Sequence, residues 1–398
     1  MERGTIDMET ILQQAKAIED FIIALRHDLH QHPELGYQEF RTTERLEAEA
    51  QKLGLPYHRF DPTGLMIEIE GRPTGKRVGL RADMDALPIQ ETTGLPYQSL
   101  VPQVMHACGH DCHTAMLMGA VHLLAANRDL LQGTVRCIFQ PAEEGGGGAD
   151  HIIKQGAADH VDLFFGEHVT PLEPSGTINY CPGGAMAAAS MFQIDVHGKS
   201  AHGATPECSV DATLVGCEIV SNLQSIISRK VSPFDTCVLS VGTFHSGSAF
   251  NIISDHAVIT GTCRFLSPAL KPFLKDSMER IATHLAAAHG ATATVKFDVF
   301  SDVVVNDDAA LALVKKAAGR FLDPETQVRR IPPMNAGDDF GAYSNYAPSA
   351  YVFLGTDGAG PGHNEKFQVG DESLYIGAAL YAQFAIEALE TLSKNKEI

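Results

Sequence analysis

Between residues 187 and 299 the sequence reads strand, helix, strand, strand, helix, strand, and this block constrains the fold more than any other feature. Met191 to Val196 has the alternation of a strand, and Asp211 to Ser228 has the spacing of an amphipathic helix. Strands follow at Thr236 to Phe244 and His256 to Phe265, then a helix from Leu270 to His289 and a strand from Thr292 to Val299. This βαββαβ order predicts a ferredoxin-like α+β unit. On either side the texture differs. Ile11, Ala15, Ile18, Ile22 and Leu25 keep helical spacing from Thr10 to Arg26, and Thr43 to Leu53 repeats it. Short apolar runs (Leu65 to Ile69, Arg77 to Leu80, Thr134 to Phe139, Leu163 to Gly166) then alternate with helical stretches such as Thr114 to Ala126. That alternation predicts an α/β domain with a largely parallel sheet. The expected organisation is one α/β domain from residues 1–186 and 300–398, interrupted by a smaller one at 187–299.

A chain of 398 residues exceeds the length at which one core stops growing, in keeping with two domains. The formal charge is −19, from 49 acidic and 30 basic side chains, with no Lys/Arg-rich block, which argues against nucleic acid and anionic membranes as partners. No run of 18 apolar residues is present to span a bilayer. Met1 to Phe21 mixes charged and apolar residues without the apolar core of a signal peptide, so the expected location is cytoplasmic. The eight Cys are scattered, as suits reduced thiols, and Cys108 is the one expected to carry chemistry.

Met105-His106-Ala107-Cys108-Gly109-His110-Asp111-Cys112-His113 packs three His, two Cys and one Asp into nine residues, ahead of a helix expected near Thr114. Thiolate and imidazole suit zinc and its transition-metal neighbours. The apolar run to Phe139 leads into Gln140-Pro141-Ala142-Glu143-Glu144-Gly145, two adjacent carboxylates where a strand gives way to a glycine-rich turn. Ligands gather at the carboxyl ends of strands in open α/β sheets. Neighbouring residues cannot both aim at one atom, so one Glu can bind a metal while the other handles a proton. No Gly-Lys-Ser/Thr follows Gly145 to Gly148, which speaks against a phosphate loop. Asp83 and Asp85 end another apolar run, Glu167 and His168 a third, and His363 follows the run Ala350 to Leu354. Asp85 is placed to fix the tautomer of a ligand imidazole.

With these motifs the chain resembles the M20 metallopeptidase family, in particular its amidohydrolase branch of hippurate hydrolases, N-acetyldiaminopimelate deacetylases and plant auxin-conjugate hydrolases. The resemblance extends to His30-Gln31-His32-Pro33-Glu34-Leu35, Leu80 to Pro88, Gly198 to Gly203 and His363-Asn364-Glu365-Lys366-Phe367. It implies a zinc-peptidase-like catalytic domain with an inserted dimerisation or lid domain. It further implies that Cys108, His110, Glu144, His168 and His363 hold one or two divalent ions, Zn or Mn, with Ni or Co as alternatives. By the same resemblance Glu143 is the general base, Asp83 and Asp85 support the ligands, His202 reaches into the partner subunit's site, and Asn251 and Arg264 bind the substrate carboxylate.

The activity implied is hydrolysis of the amide bond of a small-molecule N-acyl amino acid, of the aminoacylase or hippurate hydrolase type, by a homodimer or dimer-based oligomer. The alternatives are a dipeptidase or carboxypeptidase of the same family and a catalytically silent metal-binding homologue. Asp83 stands where the peptidase branches carry a metal-binding His. Ser190, Glu207, Glu167 and the pair Asp338-Asp339 also depart from the family's usual Asp, His, Leu and Glu-Asp. None removes a proposed ligand, but Ser190 and Glu207 bear on the substrate.

Overall fold

The computed structural model describes residues 10–394, so the start of the segment read from Met1 lies outside the described residues. The chain divides into two compact units. The larger runs to Gly183 and resumes at Val305–Pro332 and from Ala342; the smaller is Gly184–Val304 with Pro333–Gly341.

The larger unit is built on an eight-stranded sheet. Its centre, in the order Thr134–Gln140, Arg77–Asp83, Leu163–Thr170, Ser349–Gly355, is parallel throughout. Leu65–Glu70 joins antiparallel on one side, and Ile178–Tyr180 pairs antiparallel with Ser349–Gly355 on the other. Every residue of Ser349–Gly355 is buried, as are six of the seven in Arg77–Asp83. Strands covered on both faces read as continuous apolar runs, which is why these stood out in the sequence. Leu65–Glu70, nearer the edge, alternates instead. The α/β class and the largely parallel sheet are therefore as expected.

The helix His110–Ala126 packs on the sheet against Glu19–Gln31 and Leu374–Lys394. It begins at His110, four residues before the expected start near Thr114. Gly109 is the reason: it takes a left-handed φ of 98° as the helix cap. A side chain there would place its Cβ 2.4 Å from Val169 Cγ2. Glycine is required on both counts, and it makes His110 the first helical residue. The N-terminal helical pattern is split at Ile18 into Ile11–Ala17, capped by Thr10 and Gln13 in a reciprocal box, and Glu19–Gln31.

The smaller unit has a four-stranded antiparallel sheet in the order Cys237–Ser246, His256–Phe265, Ala188–His197, Thr292–Ser301. Counted along the chain this is second, third, first, fourth, the arrangement of a ferredoxin-like unit. Ala188–Val196 alternates buried and half-buried side chains, and the strand ends at exposed His197. The helices Ala212–Lys230 and Leu270–Ala288 pack together and bury one stripe each. Asp211 caps the first by accepting the Thr213 and Leu214 N–H groups.

Candidate metal centre

Three loops of the larger unit meet the strand Leu163–Thr170 near the carboxyl ends of the sheet strands. Cys108 Sγ lies 3.4 Å from His168 Nε2. His363 Nε2 lies 3.1 Å from Glu144 Oε1. His110 Nε2 stands 3.9 Å from Glu143 Oε2 and 4.0 Å from Glu144 Oε1. Cys108, His110 and His168 form one group whose donor atoms all lie within 4.8 Å; Cys108, Glu144 and His363 form a second, and His110, Glu143 and Glu144 a third. The sulfur of Cys108 is thus common to two groups. The His363 N–H donates to Ala107 O at 2.8 Å, which ties the C-terminal loop to the Cys108 turn.

The surrounding groups decide which ring nitrogen is free. His110 Nδ1–H donates to Asp85 Oδ1 at 3.2 Å, and His168 Nδ1–H donates to Val169 O at 2.6 Å. Both rings are left with Nε2 turned to the cluster, the arrangement that orients ligand histidines. Asp85 does more: Oδ1 also accepts the Glu143 N–H at 3.1 Å, and Oδ2 accepts the Glu144 N–H at 3.0 Å. His113, by contrast, has both nitrogens engaged. Its Nδ1–H donates to Asp83 Oδ1 at 2.6 Å, and its Nε2 accepts the Val169 N–H at 2.9 Å. Asp83 is also gripped by Arg81 Nη1 at 2.6 Å. Asp83 therefore braces the strand end from behind.

Electrostatics favour a cation here. Burial opposes a proton on His110, but Asp83, Cys108 and Asp85 raise it well above the usual imidazole range. The bond to Glu144 raises His363. Burial pushes the Cys108 thiol up, although His110 pulls the other way. A divalent ion bound by thiolate, imidazole and carboxylate would bring positive charge to these groups in place of protons. The donor set fits such an ion.

Glu39 and Arg26 in this region carry no local signal in the sequence. Glu39 Oε1 accepts the Ala142 N–H at 2.9 Å and Oε2 accepts the Thr63 hydroxyl at 2.6 Å, which pins Ala142 at a left-handed φ of 52° just before the Glu pair. Burial pushes Glu39 up to about 7. Arg26 Nε donates to Asp111 Oδ2 at 2.9 Å, and its Nη1 to Tyr97 and Asp371 at 2.7 Å each. His30 Nδ1–H donates to Asp111 at 2.8 Å. Burial opposes the charge on His30, but Asp111 and Glu91 raise it to about 9. The pair of cations fixes Asp111 in the first turn of the helix that starts at His110.

The remaining candidates belong to the smaller unit. Ala201–His202 pairs with Ile252–Ile253, placing His202 beside the segment that holds Asn251; the Gly203 N–H donates to Asn251 O at 2.8 Å. His202 Nδ1 accepts the Ala204 N–H at 3.1 Å, so the neutral ring carries its proton on exposed Nε2. Arg264 lies on the strand His256–Phe265, between Val238 and Ala189. Asp338 and Asp339 fall in the Pro333–Gly341 segment of the same unit.

Comparison with known proteins agrees with this architecture. The chain is 38% identical over 391 residues to "Thermostable carboxypeptidase 2" of Saccharolobus solfataricus, covering 96% of this chain and 98% of that one. It is 37% identical to the N-acetylcysteine deacetylase of Bacillus subtilis, over 95% of this chain and 99% of the relative. With an IAA-amino acid hydrolase of Arabidopsis thaliana it shares 36% identity over 95% and 89% of the two chains. Its fold matches a crystal structure from Bacillus subtilis, described as a dinuclear metal-binding peptidase of the M20 family, with TM-score 0.82 and 34% identity over 94% of this chain and 99% of that one. Residues 79–387 match the family model, and the chain is a member of peptidase family M20/M25/M40.

Proposed function

We propose that this M20 hydrolase cleaves the amide bond of N-acyl amino acids to give a carboxylic acid and the free amino acid. The observation that carries the reading is Asp85, one carboxylate that accepts hydrogen bonds from the His110 ring and from the Glu143 and Glu144 backbones. It aligns two candidate ligands and the candidate base from a single point. Cys108, His110 and His168 would hold one divalent ion, and Cys108, Glu144 and His363 a second, with zinc or manganese suited to these donors. Such ions, when bound, supply Lewis acidity and lower the pKa of water toward neutrality.

Glu143 then takes a proton from the attacking water at its carboxylate and returns it to the departing amine nitrogen. His202, with its proton on Nε2, donates to the oxyanion, a contact worth roughly 3 to 4 kcal/mol. Asn251 and Arg264 clamp the substrate's free carboxylate, Arg264 through two parallel N–H groups. The chain works as a homodimer in this reading, with His202 of one subunit serving the site of the other. Among the described residues the Cys237–Ser246 strand ends the sheet of the smaller unit with one side unpaired, an edge compatible with this reading.

A carboxypeptidase activity is the second reading, favoured by the relative that bears that name. Among the described residues no helix is long and apolar enough to cross a membrane. A panel of benzoyl-glycine, N-acetyl-methionine and glycyl-leucine separates the readings. Hydrolysis of the two acylated substrates is expected, and cleavage of the dipeptide alone would refute the proposal.

A further inference from the structure

Glu39 is a fully buried acid to which the hydrolytic scheme above gives no part. It caps the helix Phe40–Lys52, yet its side chain makes no capping bond to it. Its backbone is anchored there, because Glu39 O accepts the Thr43 N–H at 3.0 Å and the Thr43 hydroxyl at 2.7 Å. Its carboxylate extends to two other segments: Oε1 accepts the Ala142 N–H at 2.9 Å, and Oε2 the hydroxyl of buried Thr63 at 2.6 Å. The Thr63 segment is tied to the same helix in turn, since the Gly64 N–H donates to Thr43 Oγ1 at 3.0 Å. Burying an acid is costly unless it is hydrogen-bonded, and both oxygens of Glu39 are.

The acid holds the bend that delivers the Glu pair. Ala142 sits at a left-handed φ of 52°, uncommon and strained for a residue with a side chain. Such a conformation persists only where the surroundings fix it. Here they fix the peptide on each side of the Ala142 Cα. Before it, the Ala142 N–H ends on Glu39. After it, Ala142 O accepts the Gly148 N–H at 3.1 Å, and the Glu143 N–H ends on Asp85 at 3.1 Å. Two peptide planes held in this way leave φ and ψ of Ala142 little freedom. Gly36 lets the neighbouring segment close on the bend, for a Cβ there would come within 3.0 Å of Ala142 Cβ.

On this segment Asp85 acts only beyond the bend, on the amides of Glu143 and Glu144. Without Glu39 the preceding peptide would be free to turn, Ala142 would relax toward negative φ, and Glu143 would swing with the chain that follows. We propose that Glu39 is a positioning residue for the general base: acting through the Ala142 amide, it aims the Glu143 carboxylate at the attacking water. This rests on the reading of Glu143 as the base. The requirement is for an acceptor at the right reach rather than for a charge. Burial raises Glu39 to about 7, and the carboxyl keeps an oxygen for the Ala142 N–H in either protonation state.

Three substitutions separate reach from charge. Glu39→Gln keeps an acceptor oxygen at the same reach, and kcat for benzoyl-glycine should stay within about threefold of wild type. Glu39→Asp keeps the acid but is shorter by one carbon–carbon bond, about 1.5 Å, and Glu39→Leu offers no acceptor. In both, kcat should fall about 10- to 100-fold, the scale for a reacting group displaced by about 1 Å. KM should move little, and elemental analysis should find the wild-type metal content. Deuterium uptake by the peptide spanning residues 140–147, followed by mass spectrometry, should rise in Glu39→Asp and Glu39→Leu and not in Glu39→Gln. If Glu39→Leu fails to fold by circular dichroism, Glu39→Asp and Glu39→Gln decide. Three results would each overturn the proposal while leaving Glu143 as the base: an active Glu39→Asp beside an inactive Glu39→Gln, an unchanged kcat in the folded Asp and Leu variants, or a loss of metal that accounts for the whole loss of rate. A Glu143→Gln enzyme as active as wild type would overturn the functional reading and the role of Glu39 with it.

Discussion

Glu167 is the side chain whose replacement should be most informative about stability. It occupies the strand Leu163–Thr170 one residue before His168, and strand alternation turns it away from the metal cluster. It is 1% exposed, and neither carboxylate oxygen has a hydrogen-bond partner. A Cβ on Gly377 would touch Met116 Sδ and Leu354 Cδ2 as well as Glu167 Oε2, which shows how apolar its surroundings are. Burial pushes its carboxyl well above the ordinary range, so the folded chain keeps this proton where the unfolded chain releases it.

The sign follows directly. With the folded pKa raised, the favourable balance is full below the unfolded value near 4.5 and is lost as pH rises toward the folded value. Between the unfolded and the folded value each pH unit costs up to about 1.4 kcal/mol. Glu167→Leu abolishes this slope and removes an unpartnered polar group worth about 1 to 3 kcal/mol. Urea unfolding of chelator-treated protein at pH 5, 6 and 7 should show the Leu variant more stable, with an advantage that widens as pH rises, by at most about 1.4 kcal/mol per unit. Glu167→Gln should flatten the slope without the full gain. An advantage that stays constant with pH would mean that Glu167 ionises in the folded state and would refute the argument.

Other consequences concern the centre itself. Glu143→Gln should retain metal by elemental analysis while kcat falls by about 10²- to 10⁴-fold, since it removes only the proton carrier. Asp85→Ala releases the His110 ring and the backbone of both Glu residues, and metal affinity measured by competition with a chromophoric chelator should fall about 10- to 100-fold. Mixing inactive Glu143→Gln and His202→Ala subunits should restore part of the activity, because a mixed dimer contains one site with both groups intact. Verified mixed dimers without activity would count against a shared site.

The sequence made the parallel sheet legible because its central strands are buried on both faces and read as unbroken apolar runs. It also exposed Cys108, the Glu143–Glu144 pair, His168 and His363, which stand where such runs stop. The supporting residues were hidden for a physical reason: their partners are distant in the chain. Arg26 gains its meaning from Asp111, and Glu39 from the Ala142 backbone, contacts 85 and 103 residues apart. No local periodicity reports such pairs. The helix start at His110 was missed because Gly109 acts through its left-handed backbone and its clearance from Val169, and neither is visible in a string of residue types. The placement of Pro333–Gly341 in the smaller unit likewise depends on tertiary packing, for its residues continue an otherwise ordinary α/β stretch.

The bond from His363 N–H to Ala107 O spans the entire insertion. Loop-closure entropy grows only logarithmically with length, so the native state loses little stability for the extra residues between these two points. Kinetics differ, because contacts between distant parts of a chain form slowly. A nascent or refolding molecule can therefore possess the Cys108 turn and the Glu pair well before His363 arrives. A second cation held through His363, as proposed above, would become a timer for completion of the fold, and its capture should lag behind formation of the sheet in a refolding experiment followed by a metal indicator.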